Sequence, residues 1–352
     1  MKNNFTILLI TLILISCMSK HSDKHGKLEK TIKLSNGYIN LKLDTFDISA
    51  DGDLRKVILF HNNFYLMFET NRKNTTQRFK NMIVLNKKGD FVEKVFVPDE
   101  FKDIPYYNIH VENDSLFVKE SEFEESSFVL NEKDSELKPI KRREFKSLED
   151  NTYNVYVKDN GEFGGTTFFQ DKKTRDVYEI RSTPTAINKI DSCYFLTSSG
   201  TLFVDYTSVM KINKITQLQK SALDFERKHG SMFHKGAEMI LDSTGLFISS
   251  SFVFNKKLLH IYNTAKGTYL GEIINGKIRP FYKFDFKFDA FLNQQYKNGV
   301  QVFSCFIHDK KYEKWINSSY KPFDDKDKQK SVYDKGAIMI IDGNSITIHV
   351  LN

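Results

Sequence analysis

Two histidines are the first candidates for chemistry in this sequence. His229 and His234 stand five residues apart, with Glu226 and Glu238 on either side. A zinc site needs three or four ligands, and its histidines are neutral and oriented by further partners. The spacing matches no zinc signature, and the alternative is a histidine at a helix end followed by a histidine in a loop. The sequence therefore predicts no metal site, and only His229 and His234 remain as candidates.

No nucleophile motif accompanies these histidines. The sequence contains no Gly-x-Ser-x-Gly elbow, and neither Cys193 nor Cys305 has the flanking residues of a catalytic cysteine. The acids at strand ends are the candidates to face a central channel: Glu69, Asp191, Asp205 and Asp242. We predict no catalytic residue and no cofactor, and we favour a protein that is not an enzyme.

The sequence leaves two states open for Cys193 and Cys305. A secreted protein permits a disulfide between them. Both nevertheless lie in apolar, strand-like runs, where a cysteine behaves as a small buried hydrophobic residue. We favour two unpaired cysteines.

The N-terminal segment carries the most specific motif of the chain. Lys2 precedes the apolar run 5–15, and residues 14–17 read Leu-Ile-Ser-Cys. A positive start, a short apolar run and a small residue before the cleavage site describe a secretory signal peptide, not a membrane span. The segment 14–17 resembles the lipobox of bacterial lipoproteins. This resemblance implies cleavage before Cys17, acylation of Cys17 with palmitate among the acyl chains, and attachment to a membrane through that lipid.

The residues that follow predict the domain organisation. Residues 1–16 form the signal peptide, residues 17–28 a flexible tether of polar and basic residues, and residues 29–352 a single domain. In the resembling lipoproteins an Asp after the acylated cysteine marks the inner membrane, and here Met18 stands at that position. The resemblance therefore implies an outer-membrane lipoprotein that faces the periplasm.

The charge balance argues against nucleic-acid binding. The sequence has 52 Lys and Arg against 45 Asp and Glu. Removal of residues 1–16 takes away only Lys2, which leaves 51 against 45 and a net charge of +6. The basic residues alternate with acids instead of forming one basic surface. We expect no nucleic-acid partner.

Short alternating segments between turns predict an all-β fold. The sequence holds 31 Phe and 16 Tyr but one Trp, and no long helical periodicity. Segments 31–35 and 38–43 flank Asn36 and Gly37, which predicts a hairpin with a two-residue turn. Residues 282–291 alternate Phe with charged residues and predict one regular strand.

Turn motifs recur about every fifty residues, which is the length of a propeller blade. About two dozen strands predict a β-propeller of six or seven blades. The first hairpin would complete the last blade, formed by residues 336–341 and 345–350. Two sandwiches or an irregular propeller remain alternatives.

One helix interrupts the predicted strands. Thr216 and Gln219 have the spacing of a capping box, and Lys228, His229 and Gly230 form a basic last turn with a stop. We predict an inserted helix near residues 216–229.

Two further segments, residues 162–174 and 338–349, resemble stretches of uncharacterised Gram-negative lipoproteins that are propeller-like. That resemblance implies a lipoprotein with a propeller and implies no activity. We therefore expect a binding or scaffold module for an envelope protein or a glycan. The alternatives are a hydrolase or lyase that acts on glycans or peptides in the channel, and an envelope protein with a mechanical role.

Overall fold

The computed structural model is nearly all β. It describes residues 28–35, 37–48, 50, 52–71, 78–102, 104, 106–120, 126–159, 164–201, 204–224, 230, 235–290, 295–297, 300–308 and 335–351. The predicted signal peptide, including Cys17, and residues 18–27 of the predicted tether lie outside these residues. Among the described residues no helix is long and apolar enough to cross a membrane.

The strands form a β-propeller of six blades, as the periodicity predicts. The chain starts with the hairpin β1 (Leu28–Leu34) and β2 (Gly37–Phe46). Blade 1 has β3 (Asp53–Phe60), β4 (Asn63–Asn71), β5 (Arg78–Asn86) and β6 (Phe91–Val95). After the short helix α1 (Asp99–Lys102), blade 2 has β7 (Tyr107–Glu112), β8 (Ser115–Glu120), β9 (Ser127–Asn131) and β10 (Glu136–Ile140).

The remaining blades follow the same antiparallel order. Blade 3 has β11 (Leu148–Glu149), β12 (Tyr153–Asp159), β13 (Gly165–Asp171) and β14 (Val177–Arg181). Blade 4 has β15 (Ala186–Ile190), β16 (Cys193–Thr201), β17 (Asp205–Ile212) and β19 (Ala237–Thr244), and β18 (Gln219–Ser221) lies between the last two in sequence. Blade 5 has β20 (Phe247–Phe254), β21 (Lys257–Thr264), β22 (Gly267–Ile274) and β23 (Lys277–Lys283). Blade 6 has β24 (Lys287–Ala290), β25 (Gln295–Lys297), β26 (Val300–His308), β27 (Lys335–Asp342) and β28 (Ser345–Leu351).

The first hairpin pairs with the last blade, as predicted, but it adds to a blade that is already complete, through a parallel pair. β2 lies beside β28 in parallel, with Leu43 opposite Ile348. Because β24 to β28 already make a full blade, the hairpin widens blade 6 at its outer edge. Ile39 and Leu41 also share one apolar cluster with Phe252 of blade 5. The hairpin therefore joins blades 5 and 6.

The predicted turn of this hairpin lies one residue earlier than expected. Leu34 pairs with Gly37, so Ser35 and the residue after it connect the strands. Gly37 has φ of +148°, and a Cβ there would lie 3.0 Å from Asn255 Nδ2. Glycine is required because the hairpin approaches the β20–β21 turn of blade 5 so closely.

Apolar side chains fill the spaces between neighbouring blades. Between blades 1 and 2, Ile58, Met82 and Val118 are buried in one cluster. Between blades 3 and 4, Phe169 and Leu196 are buried in another. Strands buried on both faces carry apolar residues at successive positions, which explains the apolar runs in the sequence.

The helix predicted near residues 216–229 is wrong where the structure describes it. Residues Ile215–Gln217 form one turn of 3₁₀ helix, and β18 then pairs with β14 of blade 3. Lys214, not Thr216, is the N-cap residue, and no side chain caps the turn. Pairing with β14 supplies partners for the open backbone groups of that strand edge, which a separate helix would leave unpaired. Residues 225–229 lie outside the described residues.

The strand predicted over residues 282–291 is also wrong. β23 ends at Lys283, and β24 begins at Lys287 in the next blade. Phe284, between the two strands, is buried in the apolar cluster that the first hairpin shares with blades 5 and 6. Alternation alone does not reveal that one residue of the pattern occupies a connection between blades.

Both described cysteines are free, as we favoured. Cys193 is partly exposed in blade 4 and Cys305 is buried in blade 6. We expect both to react with a thiol reagent in denaturant without prior reduction. Failure to recover either thiol before reduction would contradict this prediction, because a disulfide would consume both.

Asp150 joins blades 3 and 4 at the β11–β12 turn. Its carboxylate accepts hydrogen bonds from Lys189 Nζ at 2.7 Å and from the hydroxyl of Tyr194. It also accepts from the backbone N–H groups of Thr152 and Tyr153. Burial alone would raise the pKa of Asp150, but the bonds from Lys189, Tyr194 and the backbone outweigh it and lower the pKa to about 2.

This depressed pKa predicts acid sensitivity. A carboxylate with a lower pKa in the folded state than the unfolded value of 3.8 stabilises the fold above that value. The stabilisation is lost as pH falls from about 4 to about 2. We expect Asp150→Asn to lower the free energy of unfolding at pH 7 by about 1–2 kcal/mol, a range reduced for solvent screening. Denaturant titrations at pH 7 and pH 3 measure it, and equal losses at both would contradict the prediction.

His61 bridges blades 1 and 2 at the β3–β4 turn. Its Nε2 lies 2.9 Å from Asp114 Oδ1 and its Nδ1 lies 3.2 Å from Glu132 Oε2. Because both partners are carboxylates, only the protonated ring can donate at both nitrogens. The hydrogen bond with Asp114 is the main cause that raises the pKa of His61.

The His61 bridge predicts a titration in the physiological range. We expect an NMR titration to give His61 a pKa above 6.5, and Asp114→Asn to move it back toward that value. The contribution of the bridge is present at low pH and lost as pH rises through the raised pKa. A His61 pKa that Asp114→Asn leaves unchanged would contradict the assignment.

Candidate functional site

One end of the propeller gathers the polar groups of the channel. Innermost strands β3 and β7 contact each other, and β3 also contacts β26 of blade 6. In a propeller such strands surround the central channel. We call the end at which the innermost strands begin the strand-start face. By the antiparallel pairing, this face also carries the ends of β4, β8 and β16.

A β-bulge shapes the first strand of blade 1. The register with β4 shifts between Leu54 and Lys56, so Arg55 is the extra residue. The carbonyl of Arg55 is then available to another blade, and Ser304 Oγ of blade 6 donates to it at 2.8 Å. Bulges reorient side chains and recur beside functional sites. Here the bulge places Arg55 and Lys56, two basic side chains, at the start of an innermost strand.

Arg55 is neutralised by acids of its own blade. Its Nε lies 3.5 Å from Glu69 Oε2, and its Nη2 lies 3.7 Å from Asp53 Oδ2. Glu69 is buried on β4. Of the four acids considered from the sequence, Glu69 is therefore the one in the interior near the channel.

Lys56 reaches from blade 1 toward blade 2. Its Nζ donates to Asn108 Oδ1 of β7 at 3.4 Å. Burial lowers the pKa of Lys56 to about 8, and the negative charge of Glu69 limits that decrease. Lys56 nevertheless keeps part of its surface exposed. A partly exposed amine with a lowered pKa is typical of a functional site.

His110 lies on β7, two residues beyond Asn108. Its ring stacks on Phe145, with centroids 4.6 Å apart and planes 8° apart. Burial lowers the pKa of His110 to about 3, and the positive charges of Lys119 and Lys56 add to this effect. The imidazole is therefore neutral at physiological pH and lies in a positive potential.

The segment before β11 completes this charged side of the channel. Lys119 Nζ of β8 lies 2.5 Å from Glu144 Oε2. Arg143 pairs with Glu112 and lies over the Phe117 ring, 4.8 Å from its centroid. Blades 1 and 2 and the segment before β11 thus supply charged groups, most of them in ion pairs.

Blades 4 to 6 supply neutral polar groups instead. The carbonyl of Ser251 accepts from Asn188 Nδ2 at 3.1 Å and from Gln301 Nε2 at 2.7 Å, and so links three blades. The hydroxyl of Ser251 lies 3.0 Å from Thr197 Oγ1. These groups are buried. They stabilise the packing of the inner strands.

Ser251 and His260 form a pair that looks like a nucleophile and its base. Ser251 Oγ lies 2.8 Å from His260 Nδ1. Both residues are fully buried, and burial lowers the pKa of His260 to about 3. A general base needs access to substrate and a pKa near the working pH. The pair is therefore structural.

Exposed apolar side chains surround the strand-start face. Tyr106 precedes β7, and Val204 and Tyr206 lie where β17 begins. Their exposures run from 46% to 57%. Phe96, which follows β6 and pairs with Glu136 at the start of β10, lies away from this face, as do the other exposed large apolar residues of the described part: Tyr38, Phe91, Val92 and Met239.

The sequence-predicted site residues do not come together. Asp191 and Asp242 are exposed, and Asp191 pairs with Lys256 at 3.4 Å. His229 and His234 lie outside the described residues, as does Cys17. Among the described residues, no three His, Cys, Asp or Glu side chains cluster as metal ligands.

Sequence reasoning missed Lys56, Asn108 and His110. They come from two segments about fifty residues apart, and each is unremarkable within its own segment. The available signal was their common position, since Lys56 and Asn108 both lie near the start of the first strand of a blade. An alignment of the blade sequences with one another would have placed these two residues at nearby positions.

Comparisons with known proteins give only distant likenesses. No family model matches the chain, and no curated protein matches it. The β-propeller domain of the Trilobed protease from Pyrococcus furiosus aligns with a TM-score of 0.32 and 10% identity, over 72% of this chain and 91% of that one. Pyrococcus horikoshii acylaminoacyl peptidase aligns with a TM-score of 0.34 and 9% identity, over 73% of this chain and 51% of that one.

A third solved structure, a post-proline cleaving enzyme from Rickettsia typhi, aligns with a TM-score of 0.33 and 10% identity, over 85% of this chain and 44% of that one. The chain thus spans about half or less of these two peptidases. Such distant likenesses carry no activity to this chain. The structure defines a six-bladed β-propeller with a charged channel side at its strand-start face.

Proposed function

We propose that this chain is a lipid-anchored cell-envelope protein that serves as a binding or scaffold module, and that its strand-start face contacts a protein or a glycan. The observation that carries the proposal is the position of Tyr106, Val204 and Tyr206, three exposed apolar side chains at one end of the propeller. Aromatic residues supply much of the binding energy of protein interfaces.

Site-specific crosslinking in cells tests this proposal. A photoreactive amino acid replaces Tyr106 or Tyr206 in the full chain, and the same replacement at Tyr38 is the control. Tyr38 is similarly exposed but lies at the start of β2, at the opposite end. We expect reproducible adducts from Tyr106 and Tyr206 and none from Tyr38. Equal adducts from all three positions, or none from any, would contradict a binding role for this face.

The lipid anchor is supported by the sequence motif at residues 14–17. We expect Cys17→Ser to abolish acylation and to release the protein from membranes in a carbonate wash. Mass spectrometry of the N-terminal peptide measures the acyl chains directly. A Cys17→Ser protein that stays with the membranes would show that another element attaches it.

A further inference from the structure

Lys56 differs from the basic residues around it. Arg55 and Lys119 each pair with a carboxylate within 3.5 Å. Within the part of the chain that the structure describes, Lys56 has no such ion pair, and its contact is the 3.4 Å hydrogen bond to Asn108. A partly buried ammonium without an anion is costly, and it is retained where something outside the fold supplies the charge.

The neighbours of Lys56 have hydrogen-bonding capacity left. Asn108 accepts from Lys56 through Oδ1, so its amide NH₂ can still donate. The ring nitrogens of His110 make no hydrogen bond with the described residues, and the neutral ring has one N–H to donate. Both side chains are partly exposed. One cation and two neutral donors therefore meet on adjacent innermost strands.

The surrounding charges favour an anion at this position. Burial is the main cause that lowers the pKa of His110, and the positive charges of Lys119 and Lys56 lower it further. The acid that acts on Lys56, Glu69, is offset by Arg55. Glu144 is held by Lys119 at 2.5 Å. The acids facing this position are thus already paired, and Lys56 keeps an unbalanced charge.

We propose that Lys56, Asn108 and His110 form a subsite for a carboxylate group. The inference rests on the proposed binding function and adds the chemistry of the ligand, which is an acidic glycan or a peptide with a free C-terminal carboxylate. The carboxylate accepts a charge-assisted hydrogen bond from Lys56, which is stronger than a neutral one. Asn108 and His110 donate the weaker bonds that orient it.

This subsite implies a defined pH dependence. A carboxylate binds the protonated amine, and burial lowers the pKa of Lys56 to about 8. Affinity is therefore expected to be constant near pH 6.5 and to fall between pH 8 and pH 9.5, about ten-fold for each pH unit above the pKa of Lys56 in the unliganded protein. His110 stays neutral across this range and does not contribute.

Titration calorimetry with defined probes tests the subsite in the full chain. Trigalacturonate is compared with maltotriose, and acetyl-Ala-Ala is compared with its C-terminal amide. Each is titrated into wild type, Lys56→Gln and Lys277→Gln. Lys277 is exposed on the outer strand of blade 5, so Lys277→Gln makes the same charge change away from the channel.

We expect wild type and Lys277→Gln to bind at least one acidic probe and neither neutral partner, and Lys56→Gln to bind it about ten-fold or more weakly. Preference for trigalacturonate or for the peptide distinguishes the two ligand sources. Equal binding by Lys56→Gln and Lys277→Gln, or no binding of either acidic probe by wild type, would overturn the subsite. The crosslinking experiment at Tyr106 and Tyr206 tests the proposed binding face independently of this subsite.

Discussion

Replacement of Lys80 by Met is expected to lower the free energy of unfolding by about 2–4 kcal/mol. Lys80 is 3% exposed, and its ammonium group donates to the carbonyls of Phe101 at 3.1 Å, Lys102 at 2.8 Å and Ile104 at 2.5 Å. These carbonyls lie at and just beyond the end of α1. The ammonium thus caps the helix and holds the connection from blade 1 to blade 2.

The choice of Met isolates the ammonium group. Met keeps most of the apolar stem of Lys80 but removes its Nζ, which lies 4.9 Å from the ring centroid of Phe101 and 5.5 Å from that of Tyr107. The loss therefore measures the carbonyls left without their donor, together with the cation–π contacts. Lys94→Met on β6 is the control, because Lys94 is exposed and pairs with Ile83 on the same sheet. Denaturant unfolding that gives both variants the same stability would contradict the capping role.

Leu41→Ala is expected to lower the free energy of unfolding by about 2–4 kcal/mol. Leu41 is 2% exposed and packs in the cluster that joins the first hairpin to blades 5 and 6. Its truncation leaves a cavity at the junction of three elements. Because β24 to β28 form a blade without the hairpin, we also expect the loosening to concentrate in β1 and β2.

Hydrogen exchange distinguishes this local effect from a general one. We expect Leu41→Ala to accelerate exchange of the β1 and β2 amides more than that of blade 2. The control is Lys33→Ala, which removes an exposed side chain from the same hairpin. Uniform acceleration in all blades would mean that the hairpin is needed to close the ring.

The channel site follows from blade stacking. Lys56 and Asn108 meet because two innermost strands begin at the same end, so the long side chain of Lys56 reaches the first residues of β7. The same stacking brings together the hydroxyl and amide groups that link blades 4, 5 and 6 through hydrogen bonds to Ser251. One half of the channel is therefore charged and the other half is neutral.

Local sequence predicted most of the strands and turns. Residues two positions apart lie on the same face of a strand, and a β-turn spans four residues, so both patterns are visible in short segments of sequence. This is why the hairpin at residues 31–43 and the fifty-residue period were visible. The helix near Thr216 failed because the edge of β14, about forty residues earlier in the chain, competes for the same backbone groups.

The sequence by itself determined an all-β chain of repeated four-stranded units and the pairing of its first hairpin with its last strands. The tertiary structure alone decided the parallel register of β2 with β28, the pairing of β18 with β14, and the group formed by Lys56, Asn108 and His110. The reason is physical. Strand periodicity is a local property, whereas the partners of an edge strand and the charges around a buried amine are fixed when distant segments pack together.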